Sequence, residues 1–251
     1  MIYSELKDYD NSKDNRKNKK LYKNNFEFKN INFENVSFSY SESDIKILGD
    51  VNVEIKKGDK IGVIGKTGSG KSTFLNLLCG LLECDQGKIK INNNSDLKEN
   101  LSSWQRIIAY VPQSVSILDE SILFNITLEN DSNKINIDKI NEILKTVDLY
   151  DYIYGLPKNI YEFAGENGKN FSGGQCQRLG IARALYKSVE VIVLDEATSA
   201  LDETTETKIL EKIFERKEFT VVTISHRKNS IKNCNKIFEI KDKIIKKNLN
   251  N

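Results

Sequence analysis

Residues 65–73 read Gly-Lys-Thr-Gly-Ser-Gly-Lys-Ser-Thr, fitting the pattern G-x-x-x-x-G-K-[ST], and no other stretch narrows the choice of fold so far. The short apolar run Lys60–Ile64 precedes it, and the helix-like run Phe74-Leu75-Asn76-Leu77-Leu78 follows. Strand, glycine-rich turn and helix in that order turn backbone N–H groups inward around an anion and add the positive end of a helix dipole. Gly65, Lys66, Thr67, Gly68, Ser69, Gly70, Lys71, Ser72 and Thr73 are therefore the candidate nucleotide-binding residues. Lys71 can reach β- and γ-phosphates, and the Ser72 hydroxyl can hold Mg²⁺. Average composition would produce the pattern in about one chain in a hundred of this length, before the flanking strand and helix are required.

The 251 residues suit one domain with a substantial core, or a core carrying a small inserted subdomain. A formal net charge of +2 points away from nucleic acid as a partner. No apolar run approaches the roughly 18–20 residues needed to cross a bilayer, so the chain is not expected to form a channel, and no signal peptide is expected ahead of the domain. Cys79, Cys84, Cys176 and Cys234 have neither CxxC spacing nor a neighbouring histidine, and are expected as reduced thiols in a cytosolic compartment.

Residues 1–25 stand apart: Asp8–Asn25 is rich in Lys, Asn and Asp, with almost nothing apolar to bury. They read as a solvated linker or tail, and Lys13, Arg16, Lys17, Lys19 and Lys20 suit an anionic membrane surface nearby. Phe26–Phe28 and Ile31–Tyr40 alternate apolar and polar residues and predict half-exposed antiparallel strands. Lys60–Ile64, Ile107–Val111, Val191–Leu194 and Thr220–Ile224 are short apolar runs of the kind buried in a mixed or parallel sheet. Between Ser121 and Asn170 the spacing of Ile135, Ile140, Ile143, Leu144 and Val147 is helical.

Val191–Leu194 ends in Asp195-Glu196, which places two carboxylates at a strand's carboxyl edge, where open α/β sheets bind ligands. By themselves such acids are more often a solvated strand end. Beside a phosphate loop, Asp195 fits the Mg²⁺ carboxylate and Glu196 the general base for an attacking water. The single histidine, His226, follows Thr220–Ile224, and Gln113 follows Ile107–Val111 in the same way, so both are candidates to contact γ-phosphate or water. Phe171-Ser172-Gly173-Gly174-Gln175 enters a further helix-like run. That turn is either an ordinary serine-capped helix or a second anion cradle, and a second cradle makes sense if one nucleotide is held by two molecules.

Taken in order and spacing, the phosphate loop, Gln113, Ser172-Gly173-Gly174-Gln175, Asp195-Glu196 and His226 resemble the ATP-binding-cassette (ABC) ATPases, from about Phe26 to Ile245. The resemblance implies an α/β fold: a phosphate-loop NTPase core with an antiparallel β-subdomain and an inserted α-helical subdomain. Residues 26–251 would form the ATPase domain and 114–175 the insertion. It also implies ATP and Mg²⁺ as cofactors, with Ser72, Gln113 and Asp195 as metal contacts and Lys71, Gln113, Glu196 and His226 as catalytic groups. A second copy would bind head-to-tail, so that Ser172, Gly173, Gly174 and Gln175 of one copy grip the nucleotide in the phosphate loop of the other. Tyr40 matches the aromatic that stacks on adenine, a packed core tyrosine being its alternative, and Ser199-Ala200-Leu201-Asp202 matches the loop that crosses between copies.

Within the family, Gly165-Glu166-Asn167-Gly168, Val111-Pro112-Gln113, Ile117–Ile122 and Asn125-Ile126 resemble the exporter branch, and Ser102-Ser103-Trp104-Gln105 is similar to flippases of lipid-linked oligosaccharides. That implies work at the cytoplasmic face of a membrane with transmembrane domains as partners. Ile2–Leu6 resembles the chain leaving a final membrane helix in fused exporters. Alternatives are an importer ATPase with separate membrane subunits, or a non-transport relative acting on ribosomes or DNA. Phe171 and Cys176 depart from the usual leucine and arginine of the motif, and are expected to tune activity without abolishing it.

Overall fold

The computed structural model describes residues 27–40, 45–225 and 227–249. Two sheets organise them. The first is antiparallel and four-stranded, in the order β2(Lys46–Lys56), β1(Asn30–Ser39), β4(Gln86–Ile91), β5(Ser95–Asp96). The second has six strands, in the order β10(Ile244–Leu249), β9(Lys236–Lys241), β3(Lys60–Gly65), β8(Thr220–Ile224), β7(Val191–Asp195), β6(Ile108–Val111). All of its pairings are parallel except β9 with β10.

Helix α1(Lys71–Leu78) lies between the sheets. Phe74, Leu75, Leu77 and Leu78 are fully buried, and Phe74 meets Phe33 of β1 at 5.1 Å and Phe238 of β9 at 6.1 Å between ring centroids. Six of its eight residues, Lys71 and Thr73 among them, are buried because both flanks are covered. Strand β7 is likewise covered on both faces. Val191 and Val193 enter the core shared with the antiparallel sheet, while Ile192 and Leu194 enter a second core built with the helices. A strand buried on both faces needs an unbroken apolar run, which its sequence supplies.

After α2(Leu101–Ile107) and β6 the chain becomes helical, with α3(Ile122–Thr127), α4(Ile137–Thr146), α5(Tyr150–Tyr154) and α6(Gly173–Tyr186) before it returns to β7. Then come α7(Glu203–Phe214) and the short α8(Lys228–Ile231). Ser121 caps α3 by accepting from the Phe124 N–H, and Ile140, Ile143, Leu144 and Val147 are buried as their spacing predicts.

Three boundaries differ from the sequence reading. Glu27 and Phe28 are not in a strand: Phe28 is a fully buried plug against Trp104, at 5.4 Å between ring centroids. Ile107 closes α2, so the strand begins at Ile108. Ile135 precedes α4, because the Asn136 side chain accepts from the Lys139 N–H and starts the helix after it. The expected linker, 1–25, lies outside the described residues.

Candidate functional site

The register of the parallel strands decides which residues meet. Val111 pairs with Leu194, Asp195 with Ile224, and Ile224 with Val63. Four carboxyl ends therefore finish level, and the residues that follow emerge along one edge.

At β3 the chain turns through the phosphate loop. Gly65 cannot be replaced without a clash, since a Cβ there would lie 2.6 Å from Ser69 Oγ and 2.7 Å from the Ile240 carbonyl. Gly70 caps α1 without any side-chain bond, leaving the first N–H groups of the helix to an outside acceptor. The Lys71 ammonium folds back onto the Gly65 and Lys66 carbonyls, each at 3.1 Å, while Lys66, Thr67 and Gly68 are exposed. Ser69 Oγ is buried with no hydrogen-bond partner. A polar atom so placed, beside a lysine and uncapped N–H groups, fits an anion such as a phosphate.

Asp195, only 7% exposed, takes the Ser72 hydroxyl on Oδ1 at 3.2 Å and the Tyr110 hydroxyl on Oδ2 at 2.9 Å. A hydroxyl and a carboxylate held together at the mouth of the loop form a hard oxygen donor pair that fits Mg²⁺. Tyr110 was not anticipated. Its one sequence signal is a hydroxyl inside an otherwise apolar strand, and only the pairing of Tyr110 with Val193 aims it at Asp195. Its ionisation is pushed well up, first by burial and then by the bond to Asp195, so it remains a neutral donor. Beneath the site, burial and then nearby Asp195 push the Cys79 thiol up to about 12.

Glu196 follows with φ +51°, a left-handed backbone rarely adopted by residues other than glycine and found where a structure aims a functional side chain. Its Oε2 accepts from Gln113 Nε2 at 3.0 Å, joining the turn after β6 to the end of β7. The structure thus brings together Lys71, Ser72, Asp195, Glu196 and Gln113. His226 lies outside the described residues.

Behind Glu196, Glu206 of α7 is 1% exposed. It accepts from Thr198 Oγ1 at 2.7 Å, Ser225 Oγ at 3.4 Å and Arg227 at 2.5 Å. Arg227 also donates to the Leu201 carbonyl at 2.9 Å. This pair, with its carboxylate buried and its arginine partly exposed, ties the turn after Glu196 to the end of β8. The sequence reading missed both residues, because nothing in their local pattern marks them.

The Ser172 turn is a capping box: Ser172 Oγ accepts from the Gln175 N–H, and Gln175 Oε1 accepts from the Ser172 N–H at 2.7 Å. Ser172 and Gly173 are exposed, and the turn packs on Ala200 and Leu201, with a Cβ on Gly174 falling 3.0 Å from the Ala200 carbonyl. Cys176, the departing residue, is partly buried and its thiol reaches the Gly168 carbonyl at 3.9 Å. Phe171 meets Tyr152 edge-on at 6.0 Å. Asp202 caps α7, accepting from the Thr205 N–H at 2.9 Å and the Thr204 hydroxyl at 2.5 Å. Tyr40 is 45% exposed rather than packed in a core, with its hydroxyl 3.2 Å from Thr73 Oγ1.

The sequence model of the family described as ABC transporter matches residues 48–199. The chain is 37% identical over 219 residues to the ATP-dependent lipid A-core flippase of Pasteurella multocida, covering 86% of this chain and 37% of that protein. It is 36% identical over 218 residues to the lacticin-481/lactococcin-DR transport/processing ATP-binding protein of Lactococcus lactis, covering 86% and 30%. A solved bacterial Atm1-family ABC exporter with ATP bound superposes with a TM-score of 0.81 at 28% identity, covering 89% of this chain and 39% of that one. The chain thus spans 30–37% of the length of these two curated relatives.

Proposed function

Because the chain belongs to the ABC transporter family and has its ATPase fold, we propose that it is the ATP-hydrolysing engine of an exporter, working through closure of two such domains. The convergence of the phosphate loop, Asp195, Glu196 and Gln113 on one sheet edge carries this reading. Lys71 leaves its two carbonyls for the phosphates, which supply the acceptors that those carbonyls provide here. Ser72 and Asp195 hold Mg²⁺, with Gln113 beside them, and Tyr110 keeps Asp195 oriented. When bound, Mg²⁺ supplies positive charge that offsets the charge on the phosphates. Glu196 takes the proton of an attacking water, and Gln113 holds that carboxylate in place. His226 is assigned to the same chemistry from its position after β8. Tyr40 offers an exposed ring for adenine. The exposed Ser172 and Gly173, with Gly174 and Gln175, suit a nucleotide held by a second copy, and Asp202 sits in the turn that would face that copy.

We assign residues 26–251 to the ATPase domain and 114–175 to its helical insertion. An open groove of about 750 Å³ flanks the Gln113 turn, between Tyr110, Val115, Leu128, Arg183 and Tyr186. It suits a segment of a transmembrane partner, which would hold the domain at the cytoplasmic face of a membrane. The flippase relative favours a lipid or lipid-linked saccharide as cargo, while the second relative is named for other cargo.

Glu196→Gln tests the assignment. Turnover should fall by about 10²-fold or more with ATP binding retained, and light scattering should then reveal an ATP-dependent dimer. Parent-like hydrolysis by the variant overturns it.

A further inference from the structure

Gln177, one turn into α6, is 5% exposed, and its amide is fully engaged. Nε2 donates to the Gln113 carbonyl and to Ser199 Oγ, each at 3.1 Å, and Oε1 accepts from the Ala200 N–H at 2.9 Å. Turning the amide over would set Oε1 against a carbonyl and the NH₂ group against an N–H, so its orientation is chemically determined. The same helix grips the following residues at three-residue steps. Gly180 lies so close to Val115 that a Cβ would fall 2.6 Å from a Val115 methyl. Arg183 donates to the Ser116 carbonyl at 3.1 Å and to the Asn125 carbonyl at 2.7 Å. Residues 113, 115 and 116 are thereby fastened along α6, and of Gln177, Gly180 and Arg183 it is Gln177 that also hydrogen-bonds the Ser199–Ala200 turn.

The helix that begins at the Ser172 turn, the turn bearing Gln113 and the turn after Glu196 thus share one buried amide. Gln113 in turn holds Glu196 through its side chain. We propose that Gln177 is a positioning residue for hydrolysis: it fixes the main chain of Gln113, and with it the Gln113–Glu196 contact, to α6, so that a movement of the Ser172 turn is transmitted to the general base. The proposal rests on the ATPase reading above.

Gln177→Glu retains volume and the Ala200 bond, and can still accept from Ser199, but cannot donate to Gln113. Its kcat should fall by about 10-fold or more, since small misplacements of reacting groups are costly, while KM for ATP stays within about twofold, because the phosphate loop is untouched. In a Gln113→Ala background the same substitution should add little, the two acting through one contact. Hydrogen exchange provides a readout independent of hydrolysis. In Gln177→Ala, peptides containing Ala200 and the Gln113 turn should exchange faster together, with the Gly65–Ser72 peptide unchanged. Ser199→Ala, at an exposed position, should shift the Ala200 peptide less in the same direction.

Parent-like kcat in Gln177→Glu, equal losses in both backgrounds, or unchanged exchange in Gln177→Ala with Ser199→Ala overturns the proposal. A parent chain that hydrolyses no ATP defeats the ATPase reading instead, and the exchange measurements still decide whether Gln177 fastens the turns.

Discussion

Tyr110 illustrates how much a single hydroxyl can decide. Two strands separate it from the one that carries the phosphate loop, yet it occupies the Asp195 oxygen that Ser72 leaves open. Replacing it with phenylalanine retains the ring in the sheet and frees that oxygen to rotate. Groups that orient a metal ligand typically govern affinity by 10–100-fold, so Tyr110→Phe should raise the Mg²⁺ concentration for half-maximal ATPase activity by about 10-fold. A magnesium titration at saturating ATP measures this, and an unchanged midpoint removes Tyr110 from the site. Because burial and Asp195 both raise its ionisation, the hydroxyl stays protonated through neutral and moderately alkaline pH and contributes no step to a pH–rate profile there. The Glu206–Arg227 pair was illegible for a related reason. Each looks like an ordinary surface charge until α7 and the end of β8 pack together.

Among the elements, α7 is started by Asp202, whose carboxylate is held well below the ordinary carboxylate range by the Thr204 hydroxyl first and the Thr205 N–H next. A carboxyl with a depressed folded-state value stabilises fully above its unfolded value near 4 and loses that contribution as pH falls toward the depressed value. The melting-temperature deficit of Asp202→Ala should therefore be constant from pH 7 to about 5 and shrink below about 4. A deficit that does not change with pH would show that the cap acts without its charge. β1 marks the limit of periodicity. The apolar–polar alternation of Ile31–Tyr40 does predict an antiparallel strand, but the register shifts between Phe33 and Val36 and again near Phe38, and Asn35 has a left-handed φ of +50°. Irregularities of this kind come from pairing on both sides with β2 and β4, which a local window cannot see.

For the whole molecule, stability should be graded by depth. β7 and β8 are buried along their entire length, whereas α5 is short and carries exposed residues. In native-state hydrogen exchange, Val191–Asp195 and Thr220–Ile224 should open only with global unfolding, and Tyr150–Tyr154 earlier. Equal protection throughout would mean a single cooperative unit. The sequence alone determined the phosphate loop, the buried parallel strands, the acids at a strand end and the helical stretch before the return to β7. Each rests on a short-range rule: a glycine turn, an unbroken apolar run, a 3.6-residue period. What only the tertiary structure decided was which distant groups share an atom: Tyr110 with Asp195, Gln113 with Glu196, Glu206 with Arg227, and Gln177 with two turns at once. Those contacts depend on strand order, register and helix packing, which arise from burying two cores against the same sheet and are written in no single segment of the chain.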